Sequence, residues 1–137
     1  MQTNSGAQQE LAVVVGAPGA FGQAIVSRLA AAGLGVVAVA RRADSLNALK
    51  AQVPGLVACA ADISSDSSIE VIADAVDRPV RMVVHGPGVA VAGGILAAPT
   101  GSMVDAVNIK VGGLLRLVRA VDGRLSAGSR IVAIGGH

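Results

Sequence analysis

The stretch LAVVVGAPGAFGQAI, residues 11–25, decides the fold. Its first five residues are an unbroken valine-rich apolar run, the pattern of a strand buried on both faces. Gly16, Gly19 and Gly22 follow directly, and Ile25 and Leu29, four apart and ahead of Gly33, predict a helix behind the turn. A turn of this kind calls for glycine, because side chains would keep the backbone away from a pyrophosphate. The helix start, at Ala20 and Phe21, offers free N–H groups and a partial positive charge to the same group. In a chain of 18 glycines the spacing says little by itself. Its position between a strand and a helix gives it weight.

The strand–helix unit then repeats. Val36–Ala40 reads as a second strand, and Ser45 as the cap of a helix with Leu46, Leu49 and Val53 inward, closed by Pro54-Gly55. Leu56–Ala60 is a third strand. Ser67 and Glu70 form a capping-box pattern over the stripe Ile69, Ile72, Ala73 and Val76. Val80–Val84 is a fourth strand, followed by a Gly/Pro-rich loop from His85 to Pro99. Thr100 opens a long helix with Met103, Val107, Val111, Leu114, Val118 and Val121 on one face, and Ser129–Ile134 is a fifth strand. Strands alternating with helices over short connections predict an α/β fold, a doubly wound parallel sheet in three αβα layers of Rossmann type. The expected organisation is a polar leader over residues 1–10 and one nucleotide-binding domain over 11–137, with no linker.

Composition narrows the function classes. With 53% hydrophobic and 15% charged residues, the 137-residue chain is globular and sized for one domain. There is one Phe and neither Trp nor Tyr, so Ala, Val, Leu and Gly must fill the core. The net charge is +2 and the pI about 9.3, yet no basic stripe or aromatic platform exists, which argues against nucleic acid as a partner. Cys59 lies in the apolar run LVACAA and reads as a small core residue, and one cysteine allows no disulfide within the chain. The leader lacks the charge and apolar stretch of a signal peptide, and Ala30–Ala40 is too short to span a membrane. A soluble cytoplasmic protein without membrane or metal partners is the expectation.

The end of the second strand bears on the choice of nucleotide. NAD-preferring sites keep an Asp or Glu there for the ribose 2′-OH. Here Ala40 is followed by Arg41 and Arg42, which can hold a 2′-phosphate through charge-assisted contacts. NADP(H) is therefore expected over NAD(H), although two arginines could also simply open a solvated helix.

From Leu11 onward the chain resembles the short-chain dehydrogenase/reductase family. LAVVVGAPGAFGQAI resembles its opening strand and glycine turn, in the G-x-x-G-x-x-G spacing of the extended and divergent branches, and VVAVARR resembles an NADP-preferring second strand. AADIS resembles the segment whose Asp contacts the adenine, which maps to Asp62 with the Ile63 backbone beside it. VVHGPGVAVAGG resembles the Asn-Asn-Ala-Gly loop, but only Gly88 matches. His85 and Gly86 stand for the two asparagines that brace the sheet, and Pro87 for the alanine. The resemblance sets Gly86 and Gly88 beside the cofactor. DAVNIKVGG resembles the helix whose Asn orients a water in the proton relay, which maps the catalytic role to Asn108. SRIVAIGGH resembles the fifth strand, with Gly136 where the family has a catalytic Ser. The family's Tyr-x-x-x-Lys pair is expected beyond His137, since the chain has no Tyr.

The resemblance implies a 3-2-1-4-5 strand order, incomplete at the C-terminal side. It implies hydride transfer between NADP(H) and a small-molecule carbonyl or alcohol, with residues 1–137 inactive alone. Homodimer or homotetramer formation through the long helix is also implied, and Ile109, Leu115 and Leu117 add apolar surface there beyond the inward stripe. Gly136 and the altered loop support the other reading, a catalytically lapsed nucleotide-binding sensor or regulatory module.

Overall fold

The computed structural model describes residues 9–135. Five parallel strands, β1 (Leu11–Val15), β2 (Gly35–Ala40), β3 (Val57–Ala60), β4 (Val80–His85) and β5 (Arg130–Ala133), form one sheet in the order β3-β2-β1-β4-β5. The helices are α1 (Ala20–Ala31), α2 (Ala43–Gln52), α3 (Ser67–Ala75), the single turn α4 (Gly94–Ala97), α5 (Thr100–Val107) and α6 (Gly113–Val121). A π turn, Asn108–Gly112, joins the last two.

Side chains alternate across the central strands and build two cores. Val13, Val15, Val37 and Val39 face Ile72 of α3, Val76 just after it, and Leu117 and Val121 of α6. Val14, Val36 and Ala38 face Val26 of α1 and Leu46 and Leu49 of α2. The sheet is thus covered on both sides, which is why its strands carry no polar alternation. In register, Val13 sits between Val37 and Val83. The chain winds outward from β1 through β2 to β3, then returns to lay β4 on the other side of β1. That reversal opens a crevice at the C-terminal ends of β1 and β4, where ligands of open α/β sheets bind. The strand order is the one the family resemblance implies, the three layers are those expected from the alternating elements, and Cys59 is buried in the core as expected. Among the described residues no helix is long and apolar enough to cross a membrane.

Four local expectations are corrected. Ser45 does not cap α2: the helix starts at Ala43, with Arg42 at the cap position and Asp44 accepting from the Ser45 N–H at 3.1 Å. No Ser67–Glu70 capping box forms either, because Asp66 holds the cap position and Ser65 Oγ accepts from the Ser67 N–H. On α3, Ile72 and Val76 are buried as expected, but Ala73 is exposed and Ser68 is buried instead, donating from Oγ to the Ser65 carbonyl at 2.7 Å.

The long helix keeps Val121 inward as expected but is rotated along its first half. Leu117 and Val121 are fully buried and Ile109 packs against them, whereas Met103, Val107 and Val111 are exposed. Two features explain the rotation. The π turn Asn108–Gly112 interrupts the 3.6-residue repeat, so a stripe drawn from Met103 through Val111 does not carry over onto α6. Gly113 then selects one, since a Cβ there would lie 2.8 Å from His85 Cε1 of β4.

Candidate functional site

Backbone contact builds the glycine turn. Gly16 has φ 83°, and a Cβ on it would lie 2.5 Å from the Gly86 carbonyl oxygen, so the exits of β1 and β4 pack main chain to main chain. The Gly86 N–H donates to the Val15 carbonyl across this contact at 3.0 Å. Gly22 is buried, and a Cβ there would collide with the Gly16 and Ala17 carbonyl oxygens. Gly19 differs from both. It is exposed, and a Cβ would only reach ordinary contact, 3.4 Å from Gly16 O. The sequence assigns all three glycines one task, leaving room for a pyrophosphate. In the structure Gly16 and Gly22 are in addition required by the fold itself, and Gly19 alone of the three stands open.

Two adjoining clefts cross the strand ends and share Gly16, Pro87 and Gly88. The larger, about 250 Å³, lies between Ala40 and Arg41 of the β2 exit, Asp62 and Ile63 after β3, and Ile109 of the π turn. The smaller, about 120 Å³, is bounded by Gly19, Ala20, Phe21 and Gly22 at the start of α1 and by Gly86 at the β4 exit. The N-cap residue of α1, Gly19, has no side chain, and no other described side chain caps its start. Its first N–H groups therefore remain available to an anion.

The charged residues have distinct surroundings. Arg41 lines the larger cleft. Arg42 does not, and it pairs with Asp44 at 2.9 Å while both side chains are 72% exposed. Asp62 Oδ1 accepts from the Ser64 hydroxyl at 2.6 Å and the Ser64 N–H at 3.0 Å. Those bonds, the hydroxyl first, hold its carboxyl below the usual carboxylate range.

His85 ends β4. It is buried, with Nε2 3.0 Å from the Ile109 carbonyl. A carbonyl only accepts, so Nε2 carries the proton and ties β4 to the π turn. Its Nδ1 is buried without a partner among the described residues, and desolvation pushes the ring's pKa down.

Asn108 lines neither cleft. Its Nδ2 donates to the Ser64 carbonyl at 2.9 Å, and its Oδ1 accepts from Arg116 Nη2 at 2.8 Å. One amide proton and one lone pair stay unengaged by these bonds. Its neighbours Ile109 and Lys110 do reach the crevice, Lys110 in the smaller cleft.

Of the residues singled out in the sequence, Gly16, Gly19, Ala20, Phe21, Gly22, Arg41, Asp62, Ile63, Gly86 and Gly88 come together in this one crevice, and Arg42 and Asn108 do not line it. Gly136 and His137 lie outside the described residues. Sequence reasoning missed Ile109, Lys110 and Arg116. For Arg116 a signal existed: a charged residue eight positions after Asn108, close to the same helix face.

A nucleotide-type crevice at the switch point of a parallel sheet defines a class of folds. The family model described as short chain dehydrogenase matches residues 10–136, and the chain belongs to that family. A curated relative, an uncharacterized oxidoreductase of Mycobacterium tuberculosis, is 46% identical over 68 residues, covering 50% of this chain and 27% of the relative. A short-chain dehydrogenase from Streptomyces avermitilis superposes with a TM-score of 0.83 at 29% identity, covering 95% of this chain and 50% of that one. A short-chain dehydrogenase/reductase from Burkholderia multivorans, solved with bound NADP, shares the fold at 20% identity and a TM-score of 0.80, covering 94% and 59%. The match thus covers about a quarter of the curated relative's length, and the chain spans about half that of the Streptomyces structure.

Proposed function

We propose that this chain is the cofactor-binding part of an NADP(H)-preferring oxidoreductase acting on a small-molecule carbonyl or alcohol. The observation that carries this reading is the make-up of the crevice. An uncapped helix start and an open Gly19 line one end, and Arg41 lines the other, with Ala40 where an NAD site keeps a carboxylate.

The residues suit the cofactor. The Ala20, Phe21 and Gly22 amides donate to the pyrophosphate, and Gly86 and Gly88 form the opposite wall. Arg41 holds the 2′-phosphate, and Arg42, engaged by Asp44, contributes less. Asp62, kept ionised by Ser64, accepts from the adenine amino group beside the Ile63 backbone. The bound cofactor supplies or accepts the hydride. Asn108, with one donor and one acceptor to spare, orients a water. Without a Tyr in the chain, residues 1–137 supply no Tyr acid/base, so they do not turn over substrate alone. The protein works as a cytoplasmic homo-oligomer in this reading.

Calorimetric titration of the full-length protein with NADPH and NADH tests the proposal. Tighter NADPH binding is expected. Equal affinity removes the preference, and no binding of either removes the cofactor role.

A further inference from the structure

Behind the larger cleft, one guanidinium makes four hydrogen bonds. Arg116 Nε donates to Asp66 Oδ1 at 2.8 Å and Nη2 to Asn108 Oδ1 at 2.8 Å. Its Nη1 donates to the Ile63 carbonyl at 2.9 Å and the Asn108 carbonyl at 3.3 Å. Asn108 Nδ2 then reaches the Ser64 carbonyl, and Ser64 donates twice to Asp62. A continuous hydrogen-bonded path therefore runs Arg116–Asn108–Ser64–Asp62. It joins two separate walls of the cleft, the loop carrying Asp62 and Ile63 and the π turn carrying Ile109. Arg116 itself lines neither cleft.

We propose that Arg116 is a positioning residue: by clamping the Asp62–Asp66 loop to the π turn, it sets the adenine side of the crevice without touching the ligand. This rests on the cofactor reading above. The two parts of the clamp are unequal. The Arg116 side chain is 14% exposed and the Asp66 side chain 83%, so the ion pair is screened and contributes little. The bonds to Ile63 and Asn108 are shielded, and deleting the guanidinium strands their acceptors. A freed loop must then be ordered each time a nucleotide binds, which weakens the adenine half selectively. Lysine cannot substitute, because a point charge does not span four acceptors in a plane.

The test uses the full-length protein, titrated with adenosine 2′,5′-bisphosphate, nicotinamide mononucleotide and NADPH. Arg116→Met should weaken the bisphosphate and NADPH by at least about tenfold, the scale of hydrogen bonds to a charged group, and leave the mononucleotide unchanged. Asp66→Asn should stay within about twofold, as a surface pair does. Hydrogen exchange at the Ser64 amide should quicken in both Arg116→Met and Arg116→Lys. The inference is overturned if folded Arg116→Met binds the bisphosphate like the parent, or loses both halves equally. Should the methionine variant not fold, Arg116→Lys decides alone, and parental affinity with parental Ser64 exchange overturns it. A parent protein that binds neither nucleotide overturns the cofactor reading and this inference with it. A loss confined to the variants bears on the clamp alone.

Discussion

Arg41 and Arg42 are adjacent in sequence and unequal in surroundings, since Arg42 is held by Asp44 while Arg41 lines the crevice. Arg41→Ala should weaken NADPH by about 1.5–3 kcal/mol, the scale of a hydrogen bond to a charged group, and barely change NADH. Arg42→Ala should do less, and paired calorimetry of the two variants checks the order. The glycines separate in the same way. Gly22→Val should destabilise the fold, lowering Tm, because its side chain meets the turn's own carbonyls. Gly19→Ala should leave Tm near the parent value and weaken dinucleotide binding, since its Cβ meets only ordinary contact in the protein. His85 supplies a pH test. Its folded pKa lies below the unfolded 6.5, so below that pH the unfolded state binds more protons and stability falls as pH drops. Thermal melts should show Tm declining as pH falls from 7 through about 6.5, the histidine range, and a flatter profile in His85→Gln. An unchanged profile would assign the slope to other groups.

At the scale of elements, the segment from α5 to α6 carries more apolar surface than the core can use. With Ile109, Leu117 and Val121 turned inward, Val104, Val107, Val111 and Leu115 remain exposed along the outer side. Ile109 and Leu117 are therefore not part of the excess surface expected from the sequence, while Leu115 is. We expect this side to pair with a second copy, since contiguous exposed apolar surface marks contact sites. Val111→Glu with Leu115→Glu should convert the full-length protein to monomer in sedimentation velocity, with far-UV circular dichroism unchanged. A parent protein that is already monomeric at micromolar concentration would contradict the pairing.

Across the whole molecule, the two sheet edges differ. Neither edge has a further strand among the described residues, but β3 lies against α2 and α3, whereas every residue of β5 is exposed. Ile131 and Val132 make that surface apolar, the setting in which strands recruit foreign chains. Residues 1–137 expressed alone should consequently aggregate and show no turnover with NADPH and carbonyl substrates. A version extended to the length of the matched dehydrogenases should be soluble and bind cofactor. A stable, cooperatively melting 137-residue monomer in the same buffer would refute the edge argument.

Much of this was legible in the sequence, because some signals are local. LAVVV is apolar throughout because both its faces are covered, and the position of Gly16, Gly19 and Gly22 after it marks the turn whatever surrounds them. Arg41 was readable for the same reason, since it follows β2 directly and strand ends converge on the crevice in a parallel sheet. Asp62, which Ala61 separates from the end of β3, was reached through the family resemblance of AADIS. Other features depend on partners distant in the chain. Which side of the α5–α6 segment is buried follows from Gly113 meeting His85, 28 residues earlier, and helical periodicity carries no information about that encounter. The separate duties of Gly19 and Gly22 depend on which carbonyls lie in front of each, and the clamp of Arg116 on Ile63 spans 53 residues. Local periodicity and turn chemistry determined the elements and the glycine turn, and the family resemblance implied the strand order and Asp62. Contacts between remote segments, which only the packed structure creates, decided what holds its walls together.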